Sequence, residues 1–165
     1  PDGRMMGWFG FAAVSASCVS HDHTHHNYWR LDFDIDGPGN DYIYEARAGA
    51  KPAVVNTEKK IVRGPAYWIV RDGPSGRGFK LTPGTSIAPD TFANSDLWFL
   101  RYKPVEVDDS SVGHSCAINI DPFLSGESLR GQDVVVWLRG GRFHEGGELD
   151  HCGQVDFTLE PVGDW

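Results

Sequence analysis

Cysteine is scarce in this chain. Cys18, Cys116 and Cys152 are too few among 165 residues to form a disulfide scaffold. No pair has the Cys-x-x-Cys spacing of a structural zinc site. Each reads as a buried thiol, with a single disulfide left open. Positive charge is also short: 15 Lys and Arg stand against 23 Asp and Glu, a net charge of −8. That balance argues against nucleic acid or an anionic membrane surface as a partner. No apolar run reaches the length of a membrane-spanning helix. There is no signal peptide and no initiator Met. The opening Pro1-Asp2-Gly3 is a turn sequence and reads as a processed or truncated end. Sustained helical periodicity and internal repeats are missing too.

What the chain has in quantity is punctuation. Twenty glycines and 10 prolines separate short apolar segments, which is the pattern of an all-β protein. Strands are predicted over Met5 to Ser15, Asn27 to Ile35, Asp41 to Ala48, Ala53 to Val55, Lys60 to Arg63, Ala66 to Arg71, Gly78 to Leu81 and Leu97 to Lys103. Val105 to Cys116 reads as a polar loop, and Asp121 to Leu129 as a helical turn. Gln132 to Arg139 is the most apolar strand and is placed in the core; Gln154 to Pro161 closes the fold. About ten short strands in one unit imply a single domain over 1–165: a mainly antiparallel β-sandwich with very little helix.

The chemistry concentrates between His21 and Gly37. Four histidines, His21, His23, His25 and His26, fall within six residues. Alternate residues of a strand share a face, so either His21 with His23 or His23 with His25 can clasp one metal ion. His26 points to the opposite face of an unbroken strand. A third imidazole must come from His114, His144 or His151. Next, Asp32, Asp34 and Asp36 recur at every second position. Such a ladder repels itself unless it is solvated or holds a cation. Imidazoles suit a transition metal, and carboxylates suit a harder ion. Asp36-Gly37-Pro38-Gly39 also reads as turn chemistry.

These residues resemble the C-terminal catalytic domain of copper- and topaquinone-dependent amine oxidases. The family carries His-x-His, four residues, then Arg-Leu-Asp-x-x-x-Asp-Gly. Here that is His23-Thr24-His25, then Arg30-Leu31-Asp32 through Asp36-Gly37. The family's third histidine follows the Trp of a Val-Val-Trp strand by seven residues. Val135-Val136-Trp137 and His144 match that spacing, and Leu159-Glu160-Pro161-Val162 looks like the closing strand.

The resemblance implies copper(II) on His23, His25 and His144. It also implies a second cation, Ca²⁺ or Mn²⁺, on Asp32, Asp34 and Asp133 with the backbone carbonyls of Phe33 and Val134. The implied activity is oxidation of primary amines to aldehydes, with O₂ reduced to H₂O₂. By family analogy the resemblance also implies a homo-oligomer. A secreted, periplasmic or cell-surface location follows in the same way.

The chain departs from the family at its cofactor. The quinone arises from a tyrosine upstream of the His-x-His pair, and no tyrosine precedes His23 here. Asn40-Asp41-Tyr42-Ile43-Tyr44 lies on the wrong side of the histidines to serve. Topaquinone would therefore have to come from the same polypeptide upstream of Pro1, and no catalytic residue is assigned. Two other readings stand beside the oxidase. One is a non-catalytic module that keeps both metal sites. The other is a three-histidine zinc hydrolase, for which only Glu145 and Glu148 offer a general base.

Overall fold

The computed structural model describes residues 2–11, 21–64, 66–86, 88–90, 93–107, 120–146 and 153–165. Among the described residues, ten strands form two antiparallel sheets. In chain order they are β1 (Met5–Phe11), β2 (His23–Asp32), β3 (Asp41–Arg47), β4 (Ala53–Val54), β5 (Lys59–Ile61), β6 (Ala66–Asp72), β7 (Gly78–Pro83), β8 (Leu97–Arg101), β9 (Val134–His144) and β10 (Gly153–Val162). One sheet has the order β1-β10-β7-β6-β3-β4, the other β2-β9-β8-β5. Among the described residues there is no α-helix, only short 3-10 turns at Pro104–Val107 and Asp121–Phe123. The expected all-β sandwich is the observed fold.

Alternation makes the core. On β3 and β6 the inward residues include Ile43, Trp68 and Val70. They meet Leu97, Phe99, Val134, Val136 and Leu138 from the smaller sheet. Phe33 and Ile35 belong to this core, with Trp29 and Leu31 packed against it. Gly140 permits the closest approach. A Cβ there would lie 2.9 Å from both Trp29 and Val155, so a side chain would wedge the sheets apart. The outer face of the smaller sheet has its own apolar cluster of Trp98, Leu100 and Ile120, flanked by Tyr28 and Trp137.

Several boundaries differ from expectation. β2 starts at His23 and stops at Asp32, rather than running from Asn27 to Ile35. The histidines join the ladder because β9 is longer than its apolar stretch and continues to His144, pairing residue for residue down to His23. Past Asp32 the chain leaves the ladder for a turn in which Asp36 and Asn40 adopt positive φ (61° and 63°). Asp36 is thus a turn residue paired with Arg77, not a rung of the ladder. The helical turn expected over Asp121 to Leu129 is confined to Asp121–Phe123. Part of the region expected to be a polar loop, Pro104–Val107, is a 3-10 turn. Cys18, Cys116, Cys152, His114, His151 and Glu148 lie outside the described residues.

Buried charge pins the loops to this frame. Arg139 is fully buried and donates to Asp96 at 2.5 Å, to the Ser95 carbonyl at 3.1 Å and toward His26 Nδ1 at 3.0 Å. Glu58 gathers the Lys103 ammonium, the backbone N–H groups of Arg101 (3.0 Å) and Ser125 (2.7 Å), and the Ser125 hydroxyl. Burial works to raise the Glu58 pKa. Those donors more than offset it and bring the carboxyl down to about 2.

Candidate metal centres

One ladder organises both centres. β2 and β9 run antiparallel from His23↔His144 at one end to Asp32↔Val135 at the other. His23 and His25 lie on the odd-numbered face of β2, the face that Trp29 and Leu31 turn toward the core. Asp32 lies on the other face. Seven residues separate His25 from Asp32, which puts the two groups roughly 23 Å apart along the strand.

At the first end, imidazole nitrogens of His23, His25 and His144 lie within 4.8 Å of one another. His23 Nε2 is 3.0 Å from His25 Nε2 and 3.4 Å from His144 Nδ1. Two nitrogens on a metal with bonds of about 2.0–2.1 Å stand about 2.9 Å apart at a right angle and about 3.3 Å apart at the tetrahedral angle. The observed separations match these spacings. The His23 tautomer is set by its surroundings. Nδ1 lies 2.7 Å from the His21 carbonyl, an acceptor only, so Nδ1 carries the proton and Nε2 keeps its lone pair for the cluster. His21 thus contributes backbone to the group. His144 is 6% exposed, and its Nε2 has no hydrogen-bond partner. Burial, followed by the neighbouring imidazoles of His23, His144 and His26, lowers the His25 pKa and favours the neutral, ligating form.

His26 faces away from the group. Its Nε2 lies 3.0 Å from Asp90 and its Nδ1 3.0 Å from Arg139, so its role is to join the buried ion network behind the strand. Tyr28 is also on that opposite face, tilted against Trp98 with ring centroids 6.0 Å apart. Tyr42 and Tyr44 lie on β3 in the other sheet. Glu145 is exposed beyond the end of β9, with no hydrogen bond to the imidazoles among the described contacts.

At the other end, carboxylate oxygens of Asp32, Asp34 and Asp133 also lie within 4.8 Å of one another. Asp32 comes from the last residue of β2, Asp34 from the chain leaving it, and Asp133 from the residue before β9. Arg30 donates to Asp32 at 2.8 Å and to Glu106 at 3.0 Å, so it offsets only part of the negative charge. Asp133 Oδ1 is buried without a hydrogen-bond partner. Its pKa is raised by burial first and then by Asp32 and Asp34. The Val134 carbonyl accepts from the Phe33 N–H at 3.4 Å, which brings these two backbone segments alongside the carboxylates. A carbonyl has a second lone pair, so this bond does not remove Val134 as an oxygen donor.

Sequence reasoning missed two features near these centres. Glu58 and Lys103 form a charged clamp although 45 residues separate them, and no local pattern announces that pairing. Asp41 is a fully buried acid at the start of β3. Its alternation with Ile43 was the available signal, since Ile43 points inward.

No protein-family model matches the chain, and no curated protein matches it. The fold, however, is shared with solved amine oxidases. An Aspergillus nidulans amine oxidase superposes with a TM-score of 0.68 at 21% identity, over 93% of this chain and 28% of that one. A copper-containing benzylamine oxidase from Hansenula polymorpha gives 0.64 at 17% identity, over 86% of this chain and 29% of the other. Pichia pastoris lysyl oxidase gives 0.62 at 17% identity, over 86% and 26%. This chain has an amine-oxidase-like fold and spans less than a third of the length of these neighbours.

Proposed function

We propose that this chain is a copper-binding, amine-oxidase-like domain whose His23, His25 and His144 hold copper(II). The convergence of three imidazole nitrogens, His23 Nε2, His25 Nε2 and His144 Nδ1, with the His23 tautomer set by the His21 carbonyl, carries this reading. The donor set fits. Three neutral imidazoles suit Cu(II) and leave further positions for water. Copper held there supplies redox chemistry with O₂ in the parent reaction, oxidation of a primary amine to an aldehyde with release of ammonia and H₂O₂. The chain's own residues favour the neutral form of His25, fix the His23 ring through the His21 carbonyl, and seat the site on the end of a paired ladder rather than on a free loop.

Asp32, Asp34 and Asp133 are the proposed holders of a second, hard cation, Ca²⁺ or Mn²⁺, with Phe33 and Val134 supplying carbonyl oxygens. Topaquinone has no fitting residue here. Tyr28, the tyrosine nearest the imidazoles in sequence, faces away and packs on Trp98. Amine oxidation is therefore assigned only to a longer polypeptide that carries the quinone tyrosine before Pro1. A homo-oligomer located outside the cytosol, whether secreted, periplasmic or at the cell surface, belongs to the same reading.

The second reading is a non-catalytic module that retains both metal centres. One experiment separates the two. The chain, and any longer natural polypeptide that contains it, are loaded with copper, analysed for metal, and treated with phenylhydrazine. The proposal expects about one copper on each. An adduct on the long form alone identifies the oxidase, while no adduct on either identifies the module. Failure of the chain to bind copper removes the copper reading itself. Full activity with zinc alone would point instead to the hydrolase.

A further inference from the structure

Four side-chain positions form a rectangle at the histidine end of the β2–β9 ladder. The register pairs His23 with His144 and His25 with Arg142. Directly paired residues of an antiparallel ladder point to the same face, and so do residues two apart on one strand. His23, His25, His144 and Arg142 therefore share one face of the smaller sheet. Three corners of the rectangle are the imidazoles whose nitrogens converge. The fourth is a guanidinium, directly across the ladder from His25 and two residues before His144.

Arg142 is not a metal ligand, because a guanidinium stays protonated and has no lone pair to give. It is exposed, and no carboxylate among the described residues forms an ion pair with it. Two other arginines of the same ladder are paired: Arg30 with Asp32 and Glu106, and Arg139 with Asp96. Asp22 is near the site in sequence, but its Oδ1 accepts the Gly146 N–H at 2.8 Å. Directly opposite residues have Cβ atoms about 4.5–5.5 Å apart, so the long Arg142 side chain starts beside His25 and reaches whatever the imidazoles hold.

We propose that Arg142 selects the exogenous ligand of the copper centre, so that the ion's open position takes a small monoanion in preference to a neutral molecule. The inference rests on the copper reading of His23, His25 and His144. Three neutral imidazoles leave the charge of a divalent ion without an opposite charge, and Arg142 adds a further positive charge beside it. A small anion with acceptor atoms at both ends, a carboxylate or a triatomic anion, satisfies both groups: one end meets the ion, and the other accepts from the guanidinium N–H groups. A neutral donor meets only the ion. Arg142 also repels the metal ion itself. It therefore weakens copper binding while it strengthens anion binding, which is the opposite of what a residue that merely supports the imidazoles would do.

The test uses the copper-loaded chain at low ionic strength. Azide is titrated by its charge-transfer absorption, imidazole by copper EPR, and copper itself against a competing chelator. Arg142→Gln is expected to weaken azide about tenfold, to change imidazole less than about twofold, and to bind copper at least as tightly as the parent. Arg142→Lys keeps the charge without the planar fork and should hold azide within about threefold of the parent. Arg47→Gln removes the same formal charge from an exposed position in the other sheet and should change azide less than about twofold. Azide affinity of Arg142→Gln within twofold of the parent would overturn the role of Arg142 and leave the copper reading standing. Equal losses of azide and imidazole, or weaker copper binding, would overturn it as a disturbance of the imidazole group. As large a loss of azide in Arg142→Lys as in Arg142→Gln would overturn the charge argument. A parent that binds no copper removes the copper reading, and this inference with it.

Discussion

The two ends of the β2–β9 ladder solve one problem with opposite chemistry. At the His23–His144 end, three donors come from residues inside the paired strands, and their separations of 3.0 and 3.4 Å already suit a small ion. At the Asp32 end, only Asp32 belongs to a strand; Asp34 and Asp133 lie just beyond the ladder. Neutral imidazoles can crowd without a large Coulomb penalty, so the ladder alone can hold them. Carboxylates repel, and their end needs outside help from Arg30, and from the cation proposed above. The imidazole end is thus preorganised by pairing, while the carboxylate end depends more on what binds there.

That contrast can be broken at either end. The largest effect expected is at the imidazoles. His144→Ala should weaken copper by more than about a hundredfold, beyond the 10–100-fold typical of losing a supporting partner. Metal analysis should find the hard cation retained. Stoichiometric copper on the variant would remove His144 from the centre; loss of both metals would show that the ends are not independent.

Chelation of the hard cation should lower stability by about 2–3 kcal/mol at an ion concentration near 100 Kd, a fall of several degrees in Tm. Copper removal should shift Tm less than this if the imidazole end is already set by its ladder. Calorimetric scans of the singly stripped forms decide it, and a larger loss on copper removal would reverse the comparison.

The Glu58 clamp is a carboxylate that needs no metal, and it sharpens the contrast by supplying its own cation. Its folded pKa of about 2 lies below the ordinary 4.5. The stability it confers is therefore fully present above pH 4.5 and is lost as pH falls toward 2. Glu58→Gln should cost about 2 kcal/mol at neutral pH and flatten the acid limb of the stability profile. Urea unfolding between pH 2 and 7 measures both. An unchanged acid limb would mean that other carboxylates dominate it.

The smallest effect is expected at His26. It adjoins His25 in sequence but faces Asp90 and Arg139. His26→Gln should alter copper affinity by less than about twofold, since the strand period of 2 puts it on the other face. A loss as large as that of His144→Ala would mean that the register of β2 differs from the one described.

Much of this could be read along the chain. The i, i+2 spacing placed His23 and His25 on one face and His26 on the other, because a strand's side chains alternate whatever it packs against. Gly and Pro punctuation implied short strands, and Val135-Val136-Trp137 marked a core strand that reaches His144. The extent of β2 was less legible. Its histidines are extended because β9 continues opposite them, and Asp34 is released because the chain must turn at Asp36.

Composition and alternation by themselves determined an all-β chain with one imidazole-rich and one carboxylate-rich segment. The motif resemblance named His144 and Asp133 as the distant residues that complete them, and only the tertiary structure brings them together. Antiparallel pairing brings His144 to His23 across 121 residues, and the same ladder brings Asp133 to Asp32. The fate of Asp41, Glu58 and Arg139 was decided there too. Each is an ordinary charged residue in sequence, and burial gives each a distinct role through the partners it finds: none for Asp41, an ammonium for Glu58 and a carboxylate for Arg139. Local sequence sets which face a side chain takes, but the cost of its charge depends on the dielectric and the neighbours that folding assembles around it.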